Sequence, residues 1–177
     1  PAPSDEPVVL ALSAFVRLLQ WKRVALFSTT DPYGAGAAAV MKAQLGAIGC
    51  TVVVEGSWQR GDSADSLRGI MQEVQDANLR VFISALHSDS ATVLLQALQR
   101  AGFVTFGFVL IHLNLGLTND RTADQWVQSG VFESTLVGSV GASERTVSTP
   151  TRQWYLSVFN HSSASIGRAG NTWDAVY

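Results

Sequence analysis

The sequence predicts an α/β domain: a doubly wound, mostly parallel sheet of about five strands with helices on both faces. Three observations predict it. Short apolar runs begin near residues 24, 51, 81 and 108, so successive runs start 27, 30 and 27 residues apart, the length of a strand and a crossover helix with its connections. The runs are apolar throughout rather than alternating, as strands buried on both faces are. Between them, apolar residues recur at helical spacing.

Each element has its own local reason. Ser4-Asp5-Glu6-Pro7 supplies a capping side chain, an acidic first turn and an early proline. Val8, Leu12, Phe15, Val16 and Leu19 then form one helical stripe. Val24–Phe27 is the first strand. Asp31-Pro32 opens a turn, and Ala37, Met41, Leu45 and Ile48 make a second stripe that Gly49 closes. Thr51–Val54, β-branched throughout, is the second strand. A polar loop over Gly56–Asp62 leads to a helix in which Leu67, Ile70, Met71 and Val74 share a face and which Asn78 ends. Val81–Ile83 is the third strand. Asp89 starts a fourth helix, with Leu94, Leu98 and Ala101 inward and Gly102 at its end. Phe108–Ile111 and Leu136-Val137 are the fourth and fifth strands. A Ser/Thr-rich loop (Ser139–Thr149), a helix over 150–159 and a short helix from Asn171 follow.

Composition narrows the function. The 177 residues are 47% hydrophobic and 15% charged, which excludes a disordered chain. The net charge is -2 with no block of one sign, so a nucleic-acid partner is not expected. A single cysteine, Cys50, excludes an intrachain disulfide framework and a multi-cysteine zinc site. Val8–Leu19 is interrupted by Arg17, and Phe103–Leu117 contains His112 and Asn114; both are too short to span a bilayer. No basic segment precedes an apolar run at the N-terminus, so no signal peptide is expected there. Tyr177 ends the chain inside an apolar, helix-like stretch. Residues 1–177 are therefore expected to form a single α/β lobe cut from something longer.

In open α/β sheets, ligands sit beyond the carboxyl ends of the strands. There this sequence places Ser28–Tyr33, Glu55–Trp58, Ser84–Asp89, His112–Asn114 and Gly138-Ser139. Hydroxyls, amides and aromatics dominate, which suits hydrogen bonding to a small polar solute better than chemistry on it. No Gly-x-Ser-x-Gly elbow and no phosphate-binding Gly-x4-Gly-Lys-Ser/Thr loop occurs, and no enzyme activity is expected. His87 and His112 could approach one another across neighbouring strand ends, with Asp89 near, or stand as separate loop residues; no metal is expected. Gly34-x-Gly36-x-x-Ala39, with Glu55 nineteen residues after Gly36, has the composition of a dinucleotide turn. That turn needs its first glycine directly after the strand, and six residues separate Phe27 from Gly34. The alternative is a helix start of small residues packed on the sheet. No cofactor is expected, and a stand-alone Rossmann-like domain is the runner-up.

Several of these segments, taken in order, resemble a known family. They are Pro3-Ser4-Asp5, Gln20–Leu26 with its Trp21-Lys22-Arg23, Asp31-Pro32-Tyr33-Gly34, Leu79–Ile83 with Ala91–Gly102, Phe108–Ile111 and Trp173–Tyr177. Together they resemble the second lobe of the type I periplasmic-binding-protein fold, and within it the receptor family ligand-binding region. Class C G-protein-coupled receptors, natriuretic-peptide-type cyclase receptors, ionotropic glutamate receptor amino-terminal domains and bacterial branched-chain amino-acid-binding proteins share it. The resemblance implies a non-enzymatic lobe that binds a small polar ligand in an interlobe cleft and signals by lobe closure. Its partners would be that ligand, which could be amino-acid-like, the first lobe of the same polypeptide, and a second copy in a homodimer. The membrane would be reached only through segments outside this chain. It implies the extracellular side of a plasma membrane, as part of a receptor, or alternatively a bacterial periplasm. It also assigns ligand-binding positions: Tyr33, Ser84, His87 and Asn114. Asn114 falls near a position where amino-acid-binding members carry an acid, and an amide cannot offset an ammonium. That departure favours a neutral ligand, or an interaction lobe that has lost its ligand and serves dimerisation.

Overall fold

A computed structural model describes residues 6–103, 108–113 and 139–141. The elements run α1 (Glu6–Leu18), β1 (Arg23–Thr29), α2 (Pro32–Ala47), β2 (Thr51–Trp58), α3 (Arg68–Asp76), β3 (Val81–Ala85), α4 (Ser88–Arg100), β4 (Val109–His112) and β5 (Ser139–Gly141). The five strands form one sheet in the order β2-β1-β3-β4-β5, parallel at every pairing. The doubly wound α/β prediction holds.

The two faces are covered by different helices. Val8, Val9, Leu12 and Val16 of α1 join Ala37, Met41 and Leu45 of α2 over Val24, Leu26, Ile83 and Ile111. On the other face, Met71 and Val74 of α3 and Leu94, Leu95 and Leu98 of α4 pack over Ala25, Phe27, Phe82 and Leu110. Successive strand residues therefore feed opposite cores, which is why β1, β3 and β4 read as unbroken apolar runs. The helices stop where the sequence predicts: Gly49, Asn78 and Gly102 have φ of 73°, 49° and 85°, the left-handed conformation that ends a helix.

The second strand departs from the prediction. It continues through Gly56 and Ser57 to Trp58, across residues read as loop. β2 lies at the sheet edge, and its burial alternates, with Val54, Gly56 and Trp58 inward and Val53, Glu55 and Ser57 outward. Polar residues on the outward side are what an edge strand tolerates, and they mimic a loop in sequence. Register moves from Val24↔Val52 to Ala25↔Val54, so Val53 is the extra residue of a bulge. The described fifth strand is Ser139–Gly141, at the start of the stretch read as a Ser/Thr-rich loop; Leu136-Val137 and the helices expected over 150–159 and from Asn171 lie outside the described residues. Leu19, placed in the first helical stripe, follows the end of α1 and is exposed. No helix among the described residues is long and apolar enough to cross a membrane.

Candidate functional site

The strand order reverses between β1 and β3: β1 leads outward to β2, while β3 leads to β4 on the other side. A crevice opens at such a switch point because the connections leaving the two strands run to opposite faces of the sheet. The connection after β1 carries Tyr33, and the one after β3 carries His87. Their rings meet, with centroids 4.5 Å apart and planes inclined at 34°. Both residues are half-buried. Two residues 54 positions apart thus form one aromatic platform above the switch point.

Local chemistry sets the platform. Asp31, with extended backbone, caps α2, and its Oδ1 accepts from the amides of Tyr33 and Gly34 at 3.0 Å each. Pro32 occupies the first helical turn, where its missing N–H costs nothing. The neighbouring Thr29 hydroxyl, then the Gly34 amide and the Tyr33 amide, hold the Asp31 carboxyl below its ordinary value, so the cap is ionised at neutral pH. Gly34 lies against the end of β1: a Cβ there would collide with the carbonyl oxygen, hydroxyl and amide nitrogen of Thr29. This close approach fixes where α2 leaves the sheet and hence where Tyr33 stands.

The same contact bears on the dinucleotide pattern. Helix α2 begins at Pro32, so Gly34 and Gly36 lie inside its first turns instead of forming a turn between strand and helix. Glu55 is exposed and ion-paired with Lys42. Of the motif's small residues, Gly34 packs against the end of β1, while Gly36 and Ala39 are exposed.

His87 is the N-cap residue of α4 and makes no side-chain capping bond. Beside it, Asp89 Oδ2 accepts from Arg60 Nε at 2.7 Å, and Asp89 Oδ1 accepts from the Ser90 amide at 2.8 Å. Burial works against the charge of Asp89, but Arg60 and the Ser90 amide outweigh it and lower its pKa. The pair ties the connection after β2 to the start of α4, beside the platform.

Ser84 stands beneath this layer. It is 1% exposed, and its Oγ lies 2.6 Å from His112 Nδ1. The register pairs Ser84 with His112, so both side chains point to the α3/α4 face. His112 is 2% exposed; burial pushes its pKa down to about 3, and the imidazole is neutral. A hydroxyl bonded to a neutral imidazole is the pair that nucleophilic catalysis uses; here both partners are buried. Ser84 therefore bonds β3 to β4. His112 Nε2 has no partner among the described residues. His87 and His112 do not converge: one is in the platform, the other is inside with Ser84. Among the described residues, no three His, Cys, Asp or Glu side chains gather as metal ligands. Asn114 lies outside the described residues.

Sequence reasoning missed two features. One is the Ser84–His112 bond, which depends on strand register. The other is the capping role of Asp31, for which the Asp-Pro pair was the available signal.

The described residues thus form a parallel sheet covered by helices on both faces, with the Tyr33–His87 pair at its switch point. The model of the receptor family ligand binding region matches residues 1–177, and the chain belongs to that family. Among solved structures, the chain is similar to an ABC transporter substrate-binding protein from Desulfitobacterium hafniense, crystallised in complex with leucine. The TM-score is 0.60 at 19% identity, over 98% of this chain and 48% of that one. It is also similar to Rp1789 of Rhodopseudomonas palustris strain CGA009, with a TM-score of 0.63 at 19% identity, over 80% of this chain and 36% of that one. The chain thus spans about half of the first structure's length, and less of the second's. No curated protein matches the sequence. The family is described by ligand binding and the first structure by substrate binding; neither description is that of an enzyme.

Proposed function

We propose that residues 1–177 form the second lobe of a two-lobe binding protein, which holds a small polar solute between its lobes and signals or delivers it by closing. The Tyr33–His87 platform at the switch point carries this reading. It sits where a parallel sheet of this order binds ligands, it is half-exposed, and both connections that bear it are pinned from below. Tyr33 and His87 contact the ligand. Ser84 acts from beneath, by holding β3 to β4. Asn114, which lies outside the described residues, is the fourth ligand position that the resemblance assigns. The first lobe supplies the opposing wall, in keeping with the length of the similar structures. The leucine in the substrate-binding protein of D. hafniense makes an amino-acid-like solute the first class to test. An uncharged amide at Asn114 favours a ligand whose recognition does not rest on an ammonium. The protein works outside the cytoplasm, in a receptor ectodomain or a periplasm, and needs no cofactor, metal or nucleic acid.

The test is calorimetric titration of the native-length protein with a panel of L-amino acids and neutral polar solutes. Tyr33→Ala and His87→Ala should each weaken the binding solute about tenfold or more, the loss expected when one ring of a stacked platform is removed. If both variants bind as the parent does, the platform is not the site.

A further inference from the structure

We propose that the groove between α3 and α4 is a binding site, separate from the platform, for a small organic monocarboxylate with an apolar body. The groove has a volume of about 340 Å³, within the roughly 300–1,000 Å³ of small-molecule sites. Its buried lining is apolar: Ala64, Met71 and Ala97 are 6%, 3% and 2% exposed. Three charged side chains from three segments also line it. Arg68 opens α3, Arg100 ends α4, and Asp65 belongs to the connection that precedes α3. Neither Tyr33 nor His87 is among the lining residues.

The charges of this cluster do not cancel. Arg68 Nη2 and Arg100 Nη1 both reach the same oxygen, Asp65 Oδ1, at 3.3 and 2.9 Å. One carboxylate thus faces two guanidiniums, and one positive charge is left over. Each guanidinium carries five N–H donors in a planar fork, more than one carboxylate oxygen can take. All three side chains stay more than half exposed, so the cluster adds little stability as an ion pair and its donors remain open to a ligand. The other acids of α3 do not supply the missing charge: Asp76 accepts from Gln72 Nε2 at 2.9 Å, and neither Asp76 nor Glu73 lines the groove. A second groove of about 200 Å³ continues the first, sharing Gln75 and Ala101, and adds Arg80 but no acid. Three arginines and one aspartate line the pair, in a protein whose net charge is -2. That local excess selects an anion. A monocarboxylate matches the one uncompensated charge and can take two parallel N–H···O bonds from a guanidinium. Its apolar body then covers Met71 and the two alanines. A zwitterion such as leucine, with no net charge, does not match the cluster.

The test is an amide-resolved NMR titration of the isotopically labelled, native-length protein with hexanoate, and in parallel with hexanamide, leucine and inorganic phosphate. Hexanoate should shift the amides of Asp65, Arg68, Ala97 and Arg100 along a saturating curve and leave Tyr33 and His87 still. Hexanamide, the same body without the charge, should bind about tenfold more weakly or less well still, and leucine should leave the groove amides unmoved. Arg68→Gln and Arg100→Gln should each weaken hexanoate about fivefold or more. Asp65→Asn, which frees both guanidiniums, should instead tighten it about threefold or more; a cluster that served only to hold the groove in shape would give a loss. Tyr33→Ala should change nothing, so this outcome and that of the platform are read independently. No saturable shift with hexanoate overturns the proposal. So does hexanamide or leucine binding there as tightly as hexanoate, phosphate binding more tightly, arginine variants that bind as the parent does, or weaker binding in Asp65→Asn.

Discussion

Acid should destabilise this lobe through one buried imidazole. His112 is 2% exposed, and burial lowers its pKa from the ordinary 6.5 to about 3. In the unfolded chain it protonates near 6.5; in the folded chain it resists. The folded state therefore binds fewer protons, and stability drains as pH falls from about 6.5 towards 3. Between pH 7 and pH 5 the loss from this group alone is about 2 kcal/mol, since each pH unit below the unfolded value costs about 1.4 kcal/mol until the folded value is reached. The carboxylates act elsewhere: Asp31, Asp65 and Asp89 have pKa values below the ordinary 3.8, so their contributions persist above 3.8 and are lost as pH falls through their lower folded values. The assay is urea unfolding at pH 7 and pH 5 for the parent and for His112→Asn, whose side-chain amide can donate to or accept from Ser84. The parent should lose about 2 kcal/mol more than the variant over that interval. Equal losses would refute the reasoning, because the imidazole would then not be held neutral by the fold.

Other outcomes follow from the same contacts. Gly34→Ala should destabilise by about 1–3 kcal/mol, because its Cβ meets the backbone and hydroxyl of Thr29; thermal unfolding measures it, and a neutral result would mean α2 can slide on the sheet. Asp31→Ala removes the cap of α2 and should cost about 1 kcal/mol, with a loss of solute affinity because the Tyr33 amide is one of its two partners. Lys42→Ala should change stability by less than about 0.5 kcal/mol, since its pair with Glu55 is exposed on both sides.

Much of this architecture is written locally. The stripes Ala37, Met41 and Leu45, and Leu94 and Leu98, announce their helices because each helix buries one side against the sheet. Strands β1, β3 and β4 announce themselves because they are buried on both faces. β2 was legible only in its first half, since an edge strand exposes every second residue and Gly56 and Ser57 read as loop. Tyr33 and His87 were legible as strand-end residues, and the family resemblance singles them out. Their contact was not, for it depends on two connections leaving adjacent strands. Ser84 and His112 were harder still. A serine at a strand end reads as a ligand-facing hydroxyl; only the parallel register, which sets it opposite a histidine 28 residues away, turns it inward.

The most direct test of the central claim is an amide-resolved NMR titration of the isotopically labelled, native-length protein with a panel of L-amino acids, leucine included, and neutral polar solutes. The account predicts that a binding solute shifts Tyr33, Gly34, His87 and Ser88, the amides bordering the platform, and leaves the outer residues of α3 still. Shifts confined to the other end of the sheet, or no shift with any member of the panel, would contradict it.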